Sequence, residues 1–202
     1  MKPKTPSRLG RPSTTSCEEI LAAANELLLE GGESELSFRK LAAKLHISAP
    51  GIYTYFSSKQ ALLLALVEGL LHFDMAIVSN QTPVEKLHSL LSQLRQRLLQ
   101  HQHLMFLFSR AIPAASMMQV VEQIASIIEP TGIERGKALR HGQSLLWMAL
   151  GFVIFEAGSQ DEQVIALFSG MSQYEESLAH LDLQQHDRLW QETLARNLLF
   201  LT

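Results

Sequence analysis

An all-α fold is predicted by three observations. Apolar residues recur at intervals of three and four along most of the chain, and no stretch alternates apolar with polar residues as a half-buried strand would. Segment after segment also opens on a serine or threonine cap with proline or a Glu/Gln in the first turn. The organisation read from these signals is an N-terminal three-helix helix-turn-helix domain, residues 16–62, and a larger C-terminal helical domain, residues 63–202.

Met1 to Thr15 is a polar arm carrying Lys2, Lys4, Arg8 and Arg11 without an acid, and its three prolines and one glycine keep it from folding alone. Such a flexible basic arm suits a DNA minor groove, and equally a tail that only adds solubility. Ser16 and Glu19 form a capping box for a first helix whose Ile20, Ala24, Leu27 and Leu28 keep helical spacing until Gly31-Gly32. Ser37 caps a second helix, with Leu36 and Leu41 as its hydrophobic staple and Phe38, Leu41, Ala42 and Leu45 on one face. After a tight turn, Ser48 caps a third, stapled by Ile47 and Ile52, with Pro50 in the first turn where its missing N–H costs nothing. Ser48, Ala49, Pro50, Gly51 and Thr54 face outward while Ile52 and Phe56 turn inward. The outer face is thus small enough for backbone to lie close to base edges and phosphates. Ser57 and Gln60 read as a further capping box, which puts Lys59 at a helix N-terminus that favours anions. This fourth helix runs from about Ser58 towards Ser79 with Leu62, Leu63, Leu66, Val67 and Leu70 as its buried stripe. It is long enough to link the two domains.

The string from Ser48 to Leu62, SAPGIYTYFSSKQAL, and more broadly residues Cys17 to Leu71, resembles the DNA-binding domain of the TetR family of transcriptional repressors. Members show a Ser/Thr cap, small residues, an aliphatic, a tyrosine, an aromatic pair ending in phenylalanine, and a lysine before an apolar helix. The turn departs from the pattern, with His46 where glycine is usual, although a left-handed turn residue favours glycine. The resemblance implies phosphate or sugar contacts for Ser48, Tyr53, Tyr55 and Lys59. It implies base reading by Pro50, Gly51 and Thr54, close approach at Ala49, and Arg39 or Lys40 reaching the DNA backbone.

Further along, Thr82-Pro83-Val84-Glu85 combines a cap, a proline at the first helical position and a glutamate at the third, and Leu87, Leu91, Leu94 and Leu98 follow in register. Leu104 to Ile112 reads as a short apolar helix stopped at Pro113, and Ser116 to Ile128 as another with Ser116 and Gln119 as its box. Ile133 to Ala157, about 37 Å long at 1.5 Å per residue, is apolar nearly all round and so covered on more than one side. Asp161 to Gly170 and Ser172 to Leu181 read as short helical pieces. Asp182 to Leu201 closes the chain with Leu189, Trp190, Leu194, Leu198 and Leu201 on one side.

The 202 residues are 47% hydrophobic and 18% charged, the balance of a globular protein with a well-filled helical core or an apolar surface kept for another subunit. Residues 1–60 hold eight Lys/Arg against six Asp/Glu and residues 61–202 hold nine against fourteen, so the net −3 divides into +2 and −5. Positive charge gathers where phosphate would lie. A single cysteine, Cys17, excludes an internal disulfide framework and fits a reducing cytoplasm. The longest apolar run, Leu145 to Phe155, is too short for a bilayer. His101 and His103 would point about 200° apart on a helix and could not share a metal ion unless the helix has ended, so no metal site is expected. No phosphate loop, nucleophile elbow or cofactor motif occurs, so neither an enzyme nor a cofactor is expected.

Met105, Phe106, Met117, Met118, Trp147 and Phe155 supply soft apolar material, either ordinary core or the wall of a small-molecule pocket. The resemblance favours the pocket, because family members usually sense a ligand in this region, and the string from Leu146 to Gly158 is similar to the corresponding helix of a TetR subgroup. The sequence reading is therefore a cytoplasmic, homodimeric regulator. It binds double-stranded operator DNA, is released by a small hydrophobic effector, needs no membrane, and pairs through Leu194 and Leu198. Two other readings stay open: the same fold with a protein partner or no effector, and a helical carrier with a vestigial helix-turn-helix.

Overall fold

The computed structural model describes residues 15–72, 80–110, 115–159, 171, 173 and 185–201, and contains no strand among them. The fold is all-α. Its helices are α1 (Cys17–Gly31), α2 (Phe38–Lys44), α3 (Ala49–Tyr53), α4 (Lys59–Leu71), α5 (Pro83–Gln100), α6 (Ala115–Ile128), α7 (Arg135–Ser159) and α8 (His186–Asn197). The chain divides into two compact units, Met1–Leu66 and Val67–Thr202, and the division falls within α4.

The first unit is built from short helices with satisfied ends. At α1 the Glu19 amide donates to Ser16 Oγ (3.1 Å) while the Ser16 amide donates to the Glu19 carboxylate (3.0 Å), completing the capping box. At α2 the Lys40 amide donates to Ser37 Oγ at 3.2 Å, and the staple residues Leu36 and Leu41 are both buried. Ile20, Ala24, Leu28, Leu41, Ile52, Phe56 and Leu62 make the core. Two expected caps differ. Ser48 makes no side-chain cap bond, because Pro50 removes one donor and the Gly51 amide bonds the Ser48 carbonyl instead, at 2.8 Å. At α4 the cap is Ser58, which accepts from the Ala61 amide at 3.1 Å, one residue later than the Ser57 and Gln60 box predicts. With two adjacent serines in Ser57-Ser58-Lys59-Gln60, sequence spacing alone does not choose between them. The α4 helix is described to Leu71, where the His72 amide still donates to the Glu68 carbonyl; residues 73–79 of the expected longer helix lie outside the described residues.

In the second unit α5 presents Leu87, Leu90, Leu91, Leu94 and Leu98 to the core, all fully buried, and the Thr82–Glu85 box with Pro83 opens it as expected. Against it pack α6, through Val120, Ile124 and Ile128, and α7, through Leu145, Leu146, Ala149 and Val153. α6 and α7 come close together at Gly142, where a Cβ would stand 2.7 Å from the Val121 carbonyl oxygen. Gln102–Arg110 is a 3₁₀ helix and not the α-helix expected over 104–112, since over nine residues a spacing of three, such as Leu104 to Leu107, fits either helix. Nor does Ser116 form a box with Gln119: it lies inside α6, whose first described amides, Ala115 and Ser116, donate to the Glu68 carboxylate at 2.5 and 2.8 Å.

One charged cluster is buried among these helices. Arg95 Nε and Nη2 bond the two carboxylate oxygens of Glu156 at 2.8 and 2.6 Å, and Nη1 reaches the exposed Asp187 at 2.8 Å. Its guanidinium also lies 5.7 Å from the Phe152 ring centroid and 5.6 Å from that of Trp190, whose indole N–H donates to Ser92 Oγ. Hydrogen bonding to Glu156 holds the Arg95 pKa above its ordinary value against the opposing effect of burial. The expected pieces at 161–170 and 172–181 lie outside the described residues, apart from residue 173.

Candidate nucleic-acid interface

The turn between α2 and α3 is what presents the recognition face. After Leu45 the chain enters the left-handed region at His46 (φ 55°), the Ile47 amide bonds the Ala42 carbonyl at 3.0 Å and the His46 amide bonds the Ala43 carbonyl at 3.3 Å. That pair of bonds is a Schellman ending, which satisfies the last carbonyls of α2 and reverses the chain within three residues. Ile52 and Phe56 are then drawn inward, and the other side of α3 faces water.

On that side the Ser48 hydroxyl has no cap bond, Pro50 is exposed, and Thr54 Oγ1 donates to the Gly51 carbonyl at 2.7 Å. Tyr53 is 58% exposed and meets Phe38 edge-on, with ring centroids 4.8 Å apart, so its hydroxyl is held out on a braced ring. Tyr55, although half exposed, gives its one proton to the Thr15 carbonyl, tying the start of the described chain to the residues after α3.

The four basic side chains described in this unit are not alike. Arg39 is exposed and has no hydrogen bond or ion pair among the described residues. Lys40 is paired with Glu35, Lys44 with Glu26 (2.9 Å) and Glu30 (2.8 Å), and Lys59 with Glu33, at 3.4 Å to the carboxylate and 3.2 Å to the carbonyl oxygen. Sequence reasoning missed these acids. Glu35 stands five residues before Lys40 across a helix start, and Glu33 is twenty-six residues from Lys59, so neither pair carries a helical spacing. Residues 15–66 hold four basic residues (39, 40, 44 and 59) against six glutamates (18, 19, 26, 30, 33 and 35). The positive excess of residues 1–60 therefore comes from Lys2, Lys4, Arg8 and Arg11, before residue 15.

In the second unit the expected pocket residues separate. Met105 is buried and Phe106 and Met117 are half-buried, but Met118, Trp147 and Phe155 stand on the surface, Trp147 at 59% exposure. Trp147 shares a stripe of α7 with Gly151, Ile154 and Gly158, and a Cβ at either glycine would meet nothing within 4 Å. Leu194 and Leu198, expected at a subunit contact, are instead 0% and 2% exposed within the chain itself, against the same interior as Trp190. A helix that is apolar all round does not reveal which side its own chain covers. Among the described residues no three His, Cys, Asp or Glu side chains gather as a metal site, and no helix is long and apolar enough to cross a membrane.

Comparison with known proteins agrees with this geometry. Residues 20–66 match the sequence model of the bacterial regulatory proteins of the tetR family. The tetracycline repressor protein class A from transposon 1721 of Escherichia coli is 28% identical over 146 residues, 70% of this chain and 68% of its own length. Two solved structures share the fold. One is the Streptomyces coelicolor TetR family protein ActR in complex with actinorhodin (TM-score 0.78, 19% identity, 94% of this chain and 96% of that one). The other is BioQ with its natural double-stranded DNA operator (TM-score 0.63, 22% identity, 90% and 99%). The helix-turn-helix at residues 20–66 thus carries the sequence model of the tetR family of bacterial regulatory proteins, and the chain shares its helical fold with a TetR family structure.

Proposed function

We propose that the chain is a homodimeric repressor that holds a palindromic operator with α2 and α3 and leaves it when a small hydrophobic effector binds in the second unit. The observation that carries this reading is the outer face of α3: small residues, an unbonded serine hydroxyl and a braced, exposed tyrosine, backed by a core that fixes them. Ser48, Tyr53 and Lys59 are assigned to phosphates with Arg39 and Lys40, while Pro50, Gly51 and Thr54 meet base edges, with Ala49 allowing close approach. Tyr55, whose proton is committed to Thr15, holds the root of the basic arm beside this face. Phosphate contacts position the protein and base contacts specify the sequence. Lys59→Ala should therefore weaken binding to every duplex and flatten the salt slope by about one unit, whereas Thr54→Ala should change the preferred sequence.

For pairing, the stripe of Trp147, Gly151, Ile154 and Gly158 on α7 supports a contact with the same stripe of a second copy, since two open glycines let helix backbones approach and a two-fold contact must be self-complementary. Met105, Phe106 and Met117 remain as apolar groups for an effector. The crystal structure of ActR with actinorhodin supports that an organic ligand can be held by this fold. Selection of duplexes from a random pool tests the whole reading. The expected product is a palindrome whose half-sites lie about 34 Å apart or a multiple of it. Selection that enriches no repeated half-site would reject it. Trp147→Glu should give monomers by sedimentation that no longer hold the palindrome.

A further inference from the structure

We propose that Glu33 and Glu35 act as internal competitors for the phosphate-binding ammonium groups of Lys59 and Lys40, and so set the sequence-independent part of the chain's affinity for DNA. This rests on the DNA-binding reading above. Both acids lie in the short connection between α1 and α2, and each is aimed at a lysine in the first turn of a helix that frames the recognition motif. The Lys59 ammonium has two acceptors from one residue, the Glu33 carboxylate at 3.4 Å and its carbonyl at 3.2 Å. Glu35 reaches Lys40 by lying across Gly31, where a Cβ would stand 2.4 Å from Glu35 Cγ; the glycine leaves the room that this path uses.

A carboxylate accepts the same hydrogen bonds from an ammonium group as a phosphate oxygen does. The side chains of Lys40 and Lys59 remain 45% and 40% exposed, so a phosphate can reach either one without opening the core. Exposed pairs of this kind are weak enough to exchange. After exchange the displaced carboxylate is left beside the phosphate, and like charges repel. Each acid therefore lowers affinity twice, once by occupying the lysine beforehand and once by repulsion afterwards. The effect falls on contacts that carry no sequence information, which leaves base reading by α3 a larger share of the discrimination.

The test titrates the full chain, wild type and variants, against a short random-sequence DNA duplex by fluorescence anisotropy over a salt series. Glu33→Gln and Glu35→Gln should each bind about two- to fivefold more tightly at low salt, with the gain shrinking as salt screens it. In a Lys59→Gln background Glu33→Gln should lose most of its gain. Glu26→Gln removes the same charge from Lys44, which keeps Glu30, and should change little. Thermal unfolding of each variant establishes that it is folded. If wild type binds in a salt-dependent way but both variants bind no tighter, the competition is refuted while the DNA-binding reading stands. Equal gains in all three variants would also refute it, in favour of net charge. No binding by wild type at low salt would remove the DNA-binding reading and this inference with it.

Discussion

Lys44 in the first unit and Arg95 in the second each hold two carboxylates at distances between 2.6 and 2.9 Å, yet the two clusters stand in opposite relation to the fold. Lys44 and its partners Glu26 and Glu30 lie on the surface of α1 and α2, where water can replace every bond. Arg95 and Glu156 are buried between α5 and α7, where water does not reach the bonds between them, and only the bond to Asp187 lies at the surface. The same contrast runs through both units. In the first, helix starts are closed by bonds three residues long, such as Ser16 with Glu19, Ser37 with Lys40 and Ser58 with Ala61, and longer ion pairs such as Lys59 with Glu33 stay half exposed. The second is tied by bonds across 47 to 98 residues, such as Glu68 with Ala115 and Trp190 with Ser92. A recognition surface must give up its charges to a partner, and a core must not.

The largest expected effect follows directly. Arg95→Ala strands the Glu156 carboxylate and should lower stability by about 3–5 kcal/mol in urea unfolding. Replacing both, Arg95→Met with Glu156→Leu, should recover most of that loss. Glu26→Gln in the first unit should leave unfolding unchanged within error.

Next in size is one substitution made in each unit. Gly142→Ala drives a methyl group into the Val121 carbonyl, which is backbone and cannot swing aside, and should cost about 1–3 kcal/mol. Gly31→Ala meets only the Glu35 side chain, which can rotate away, so stability should barely move while the Lys40 pairing is lost.

A third effect is pH-dependent. Burial pushes the Glu68 carboxyl upward, but hydrogen bonds from Ser116 and Ala115 outweigh it, and the net pKa lies below its ordinary value of 4.5. A depressed pKa in the folded state means that stability is fully present above that ordinary value and is lost as pH falls below it, through the folded pKa. Glu68→Gln should therefore flatten the acid limb of the stability profile, measured by thermal unfolding from neutral pH downward. An acid limb identical to wild type would mean that the Glu68 bonds to α6 contribute nothing.

The smallest effect belongs to the turn. His46 occupies a left-handed position, and His46→Gly should stabilise the first unit by up to about 1 kcal/mol, net of the freedom glycine adds to the unfolded chain. If stability instead falls, His46 makes a contribution that its backbone angle does not explain.

How much of this could be read in advance follows the same division. The boxes at Ser16 and Thr82, the cap at Ser37 and the left-handed residue at 46 were legible because all their partners lie within a few positions. The inward turn of Ile52 and Phe56 was legible for the same reason, and with it the outer face of α3. The pairing of Lys59 with Glu33 was not, since the two residues meet only once α1 and α4 are in place. Nor was the side of α7 that faces outward: Trp147 and Phe155 read like Leu145 and Phe152, and the packing of α5 and α6 against α7 decides between them. Leu194 and Leu198 were given to a second copy because an apolar stripe on a terminal helix looks the same whether its own core or a partner covers it.

The approach of α6 and α7 at Gly142 also bears on motion. Elsewhere in a helical core two backbones are separated by side chains, and small rotamer changes can absorb a shift of one helix before the other responds. At Gly142 no side chain lies between the helix and the Val121 carbonyl, so the two helices have no slack along that line. Pushing α6 there moves α7, and the stripe of Trp147 and Ile154 on its far side moves as part of the same rigid piece.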